Sequence, residues 1–114
     1  MEISDKRVNG TTILQLRGRL DAYEAPAIEK LLQKANVNTM PRIIVDLADV
    51  NFIDSTGLAM LIVGLKHCEQ QHGKLVLCSV RQPVHIIFEL TRLDKVFTMY
   101  GSQEDAIEMI SEPA

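Results

Sequence analysis

The stretch RIIVDLADVNFIDSTGLAMLIVGL, residues 42–65, decides the fold. Its first six residues, Arg42 to Leu47, are almost continuously apolar. Such a run predicts a strand buried on both faces, the signature of a parallel strand inside an α/β sheet. Its last residues are apolar again, but at helical spacing: Leu58, Leu61, Ile62 and Leu65 share one side. Between the two runs stand Asp54, Ser55 and Thr56. Each is a residue type whose side-chain oxygen can accept from a free backbone N–H at a helix start. The pattern predicts a helix from about Ser55 to His72, ended by Gly73 just past its C-terminus.

Outward from this centre the same alternation repeats. KLVLCSV (74–80) reads as a second buried strand. Pro83 opens a short helix with Val84, Ile87, Phe88 and Thr91 at helical spacing. KVFTMY (95–100) reads as a third short strand. Ser102, followed by acidic residues, caps a last helix with Ala106, Ile107 and Ile110 inward. On the N-terminal side, Asn9-Gly10 is a strong hairpin signal, because a tight turn needs positive φ at its centre. It joins an edge strand of about Glu2–Val8 to one in which Leu14, Leu16, Gly18 and Leu20 alternate with Gln15, Arg17 and Arg19. From Asp21 the period becomes helical, with Pro26 in the first turn and Ile28, Leu31, Leu32 and Ala35 on one face. The order is β-β-α-β-α-β-α-β-α. It predicts an α/β fold in a single domain over 1–114: an N-terminal antiparallel hairpin joined to parallel strands in one mixed sheet, with about four helices packed against it.

Composition narrows the function. The 114 residues carry a net charge of −3, with acidic and basic side chains interspersed. No basic stripe is present, which argues against nucleic acid as a partner. The segment MEISDKRVNG has no apolar signal core, and the apolar run 57–65 is too short to span a bilayer. A cytoplasmic protein with no direct membrane contact is expected. Cys68 and Cys78 form no CxxC pair and no metal spacing with the histidines, so buried free thiols are expected.

Catalytic signals are lacking. There is no GxGxxG, no P-loop and no GxSxG elbow, since Ile53 stands two before Ser55. His67, His72 and His85 read as solvated helix residues. Asp46, Asp49 and Asp54 are enough carboxylates for Mg²⁺, but Asp46 falls inside a strand and a turn accounts for the other two. No enzyme activity, cofactor or metal is expected. What remains is DSTGL (54–58). One cap suffices, so three are redundant, and Gly57 costs a helix about 1 kcal/mol relative to Ala. A first-turn glycine leaves the backbone open to close approach by another molecule. An exposed hydroxyl there is a suitable phosphoryl acceptor, because a dianion would meet free N–H groups and the positive end of the helix dipole. Met60 and Val63 point away from the predicted sheet face, beside His67, and form a candidate partner patch.

Together, GRLDA (18–22), IIVDLADVNFIDSTGLAMLI (43–62), KLVLCSV (74–80) and IFELTRLDKVF (87–97) make the chain resemble the bacterial anti-sigma factor antagonists of the STAS domain family. The resemblance covers nearly the whole length, and the run into DSTGL is its specific part. It implies that Ser55 is phosphorylated by a serine kinase that is also the anti-sigma factor. The unphosphorylated form would bind that kinase and free the sigma factor, and a metal-dependent serine phosphatase would reset it. The family often has a second serine where this chain has Thr56, which leaves Thr56 open as a minor second site. Asp21, ending GRLD, would line the partner surface with Asp54, Thr56, Gly57, Met60, Val63 and His67. The alternative that the resemblance allows is a structural or regulatory STAS subunit of a stress-signalling assembly or a membrane transporter.

Overall fold

Asn9 and Gly10 take φ values of 49° and 78°, the left-handed conformation that a two-residue hairpin turn requires. They join β1 (Glu2–Val8) to β2 (Thr11–Leu20), antiparallel, with Val8 opposite Thr11. The computed structural model describes residues 1–35 and 40–111. After the hairpin come α1 (Ala25–Ala35), β3 (Arg42–Ile53), α2 (Ser55–Gln70), β4 (Lys74–Cys78), α3 (Gln82–Leu90), a 3-10 turn (Leu93–Lys95), β5 (Met99–Tyr100) and α4 (Gln103–Ile110). The sheet follows chain order, β1-β2-β3-β4-β5. Every pairing after the hairpin is parallel, as the alternation of strands and helices requires.

Helices cover both faces of the sheet. On one, Leu14, Leu16, Val45 and Leu47 pack with Ile28 and Leu32 of α1, Leu58 and Leu61 of α2, and Val84 and Phe88 of α3. Phe97 closes that layer edge-to-face against Phe88, with ring centroids 5.7 Å apart. On the other, Ile13, Ile44, Val76 and Cys78 meet Ala106 and Ile110 of α4. The largely apolar runs in β3 and β4 thus reflect burial on both sides. Both cysteines are buried, and neither forms a disulfide. Burial, helped by the negative charge of Asp46 and Glu104, pushes the Cys78 thiol up to about 12, which makes it a poor nucleophile at neutral pH.

Several boundaries differ from the sequence reading, and β4, read as 74–80, ends at Cys78. The strand read as 42–47 continues to Ile53, pairing Asp49 with Arg17 and Ile53 with Leu20. Register shifts between Gln15 and Arg17 and between Gly18 and Arg19 break the two-residue period. The buried residues of the extension, Leu47, Val50 and Ile53, therefore recur every third position, which no strand template matches. The strand expected over 95–100 shrinks to Met99–Tyr100, because Leu93–Lys95 closes a 3-10 turn that drives Phe97 into the core. Helix α2 stops at Gln70. His72, with φ of 61°, takes the left-handed position expected of Gly73, with His72 N–H on Glu69 O and Gly73 N–H on Cys68 O. Glycine is needed at 73 for another reason: a Cβ there would lie 2.1 Å from the Pro41 carbonyl oxygen.

Candidate functional site

Asp54 is the residue on which the site is built. It stands before α2 in extended conformation (φ −111°, ψ −177°), and its Oδ1 accepts from the Gly57 N–H at 2.9 Å. The other oxygen, Oδ2, accepts from the Ala22 N–H at 3.1 Å, and the Asp54 N–H donates to Leu20 O at 3.2 Å. One carboxylate thus caps the helix and fastens it to the turn that follows β2. The Gly57 N–H holds the Asp54 carboxyl below its ordinary value; the Ala22 and Thr56 N–H groups and the Arg19 charge add to this, against partial desolvation. A carboxylate with a depressed folded pKa stabilises the fold fully above its ordinary value of 3.8, and that contribution is lost as pH falls through the lower folded value. Asp54→Asn should therefore lower the melting temperature at neutral pH, and the gap from the parent should narrow below pH 3.8. Melting curves taken from pH 7 to pH 2 check this.

With the cap assigned to Asp54, Ser55 and Thr56 are released from it. They are the first two residues of α2, both exposed, and neither hydroxyl hydrogen-bonds to another described residue. Asp21 organises the neighbouring turn. Its Oδ1 accepts from the Tyr23 and Glu24 N–H groups, each at 3.1 Å, and its carbonyl accepts from the Ala25 N–H at 2.8 Å. Arg19 lies beside it, with Nε 3.7 Å from Asp21 Oδ2 and its guanidinium 3.9 Å above the Phe52 ring. The structure thus brings Asp21 and Asp54 to the two sides of one junction, and Ser55 follows Asp54 as the first residue of α2.

Two of the proposed surface residues are not at the surface. Gly57 is buried, and a Cβ there would meet Leu20 O at 2.5 Å and Leu20 Cγ at 2.9 Å. The close approach that selects glycine comes from the end of β2, not from another molecule. Met60 is only 6% exposed and belongs to the core beneath α1 and α2. The helix turns it inward because α1 lies alongside α2, so α2 buries two sides rather than one. Val63 (43% exposed) and His67 do face outward. With Ala25, Pro26, Glu29 and Thr56, Val63 and Met60 line a shallow groove of about 240 Å³ between the two helices, and His67 lies at its continuation.

Asp46 and Asp49 stand apart from this site. Asp46 is 7% exposed and accepts from the Ala48 N–H at 2.9 Å and from Gln103 Nε2 at 2.7 Å, tying β3 to the start of α4. Asp49 pairs with Arg17 at 3.4 Å. Among the described residues no group of three or more His, Cys, Asp or Glu side chains is placed to hold a metal, and no helix is long and apolar enough to cross a membrane. The sequence reading missed Tyr23 and the Arg19–Phe52 pair. An aromatic beside a turn-forming aspartate was a legible signal for the first. The second depends on the strand extension and its bulges.

A sequence profile of the STAS domain matches residues 2–106. The chain is similar to the anti-sigma F factor antagonist of Paenibacillus polymyxa, 25% identical, covering 94% of this chain and 92% of that one. It is 29% identical to the anti-sigma-B factor antagonist of Listeria monocytogenes, over 84% of this chain and 83% of the relative. The crystal structure of an anti-sigma factor antagonist from Mycobacterium paratuberculosis superposes with a TM-score of 0.85 at 25% identity, covering 96% of this chain and 92% of that one.

Proposed function

The chain belongs to the STAS domain family, and from that premise we propose that it is an anti-sigma factor antagonist switched by phosphorylation of Ser55. One observation carries the reading. The helix start is capped by Asp54, which leaves an exposed serine hydroxyl at the first helical position with no structural duty. The unphosphorylated form binds a serine-kinase anti-sigma factor and so releases the sigma factor. The kinase then transfers the γ-phosphoryl group of ATP to Ser55 Oγ, the hydroxyl proton leaves, and ADP is the by-product. ATP and Mg²⁺ belong to the kinase. A metal-dependent serine phosphatase removes the phosphate, Thr56 is a minor second acceptor, and the whole cycle runs in the cytoplasm.

Electrostatics favours a switch without refolding. The phosphate adds about −1.5 to −2 charges at neutral pH. The helix dipole favours that charge by roughly 0.3–1 kcal/mol, while the carboxylate of Asp54 opposes it. These effects nearly offset, so the fold is retained. At an interface the balance differs, because a dianion must be desolvated there and like charge facing it costs several kcal/mol. The docking surface then comprises Ser55, Thr56, Asp21, Asp54 and the α1–α2 groove with Val63 and His67. Incubation with a purified serine-kinase anti-sigma factor and ATP, read by intact mass and peptide mapping, should place one phosphoryl group on Ser55. Labelling that persists unchanged in Ser55→Ala would overturn the assignment.

A further inference from the structure

We propose that Tyr23 is the aromatic anchor of this docking surface, its ring entering an apolar pocket on the serine-kinase anti-sigma factor. The inference rests on the reading of Ser55 given above and names the side chain that carries affinity beside it. Tyr23 is 88% exposed, the most exposed of the chain's large hydrophobic side chains among the described residues. Its backbone is fixed all the same. The Tyr23 N–H donates to Asp21 Oδ1, and the Ala22 N–H donates to Asp54 Oδ2, the carboxylate that caps the helix of Ser55. A ring with few rotatable bonds on an immobilised turn loses little entropy on docking. Exposed aromatics of this kind dominate the energetics of interfaces when a partner pocket encloses them. The flanking charges are already matched within the chain: Asp21 by Arg19 and Glu24 by the N-terminal amine at 3.1 Å. An apolar pocket can therefore close over Tyr23 without burying a lone carboxylate.

The test uses the full chain carrying Ser55→Ala, without ATP, so that phosphorylation of Ser55 cannot end the complex. Its affinity for each purified serine-kinase anti-sigma factor of the organism is measured by titration calorimetry, alone and with Tyr23→Ala or Tyr23→Phe added. Tyr23→Ala should weaken the complex by roughly tenfold or more, as expected for an anchor residue. Tyr23→Phe, which keeps the ring, should restore most of that affinity, and all three proteins should melt alike because the side chain supports nothing in the fold. Undiminished binding by Tyr23→Ala overturns the anchor and leaves the Ser55 reading standing. If the parent protein binds none of these kinases, both fall together.

Discussion

A Ser55→Asp chain should bind its kinase anti-sigma factor at least about a hundredfold more weakly than a Ser55→Ala chain, a difference of roughly 2.7 kcal/mol. Ser55 is exposed at the first position of α2, and its hydroxyl makes no hydrogen bond to another described residue. Removing it should change stability by no more than about 0.5 kcal/mol. Ser55→Ala therefore keeps the docking surface and loses the main acceptor, so its complex should outlast that of the parent when ATP is present. Ser55→Asp places a carboxylate next to Asp54 at the centre of the proposed interface, where it must be desolvated against the partner. One carboxylate carries less charge than a phosphate dianion, so the loss should fall short of that caused by phosphorylation itself. Titration calorimetry on the two variants, with melting temperatures alongside, measures both quantities. Equal affinities would remove electrostatic exclusion from the mechanism.

Within the site itself, the largest expected effect on the fold is at Gly57. A Cβ there would stand 2.5 Å from a backbone oxygen, Leu20 O, 2.9 Å from Leu20 Cγ and 3.1 Å from Ile53 Cγ1. A side chain can turn aside, but a carbonyl at the end of β2 cannot, so α2 must lift from the sheet. Overpacking of this kind costs about 1–3 kcal/mol. The gain in helix propensity, about 1 kcal/mol, returns only part of that. Lifting the helix also strains the hydrogen bonds by which Asp54 holds Gly57 and Ala22. Gly57→Ala should therefore be destabilised by roughly 2 kcal/mol and lower the denaturation midpoint at unchanged slope. Gly101→Ala is the control: a Cβ at that position meets nothing within 4 Å and should leave the midpoint in place.

Where one local rule governed an element, the sequence was a sound guide. Asn9-Gly10 specified the hairpin through its positive φ values. The apolar runs of β3 and β4 specified strands buried on both faces, and Ser102 caps α4 by accepting from the Asp105 N–H at 3.1 Å. Where two elements competed for one residue, it was not. Bulges within β3, which carries extra residues against β2, gave its second half inward residues that recur every third position, so the strand reading stopped at Leu47. α1 covers the flank of α2, so Met60 was misplaced to the surface. Gly57 was recognised as unusual for a helix, but only the three-dimensional path of Leu20 shows what crowds it. Ser55 itself stood out because three cap residues exceed what one helix end needs. Which of them acts as the cap depends on the Ala22 N–H, contributed from 32 residues earlier in the chain.

Phosphorylation of Ser55 to completion, followed by parallel measurement of kinase affinity, melting temperature and amide hydrogen exchange, tests the switch most directly. Expected is a loss of affinity greater than about a hundredfold, with little change in melting temperature and with altered exchange confined to the start of α2 and the turn at residues 21–24. A broad loss of protection and stability, with docking weakened only in proportion to the unfolded fraction, would contradict a switch that acts by local charge at Ser55.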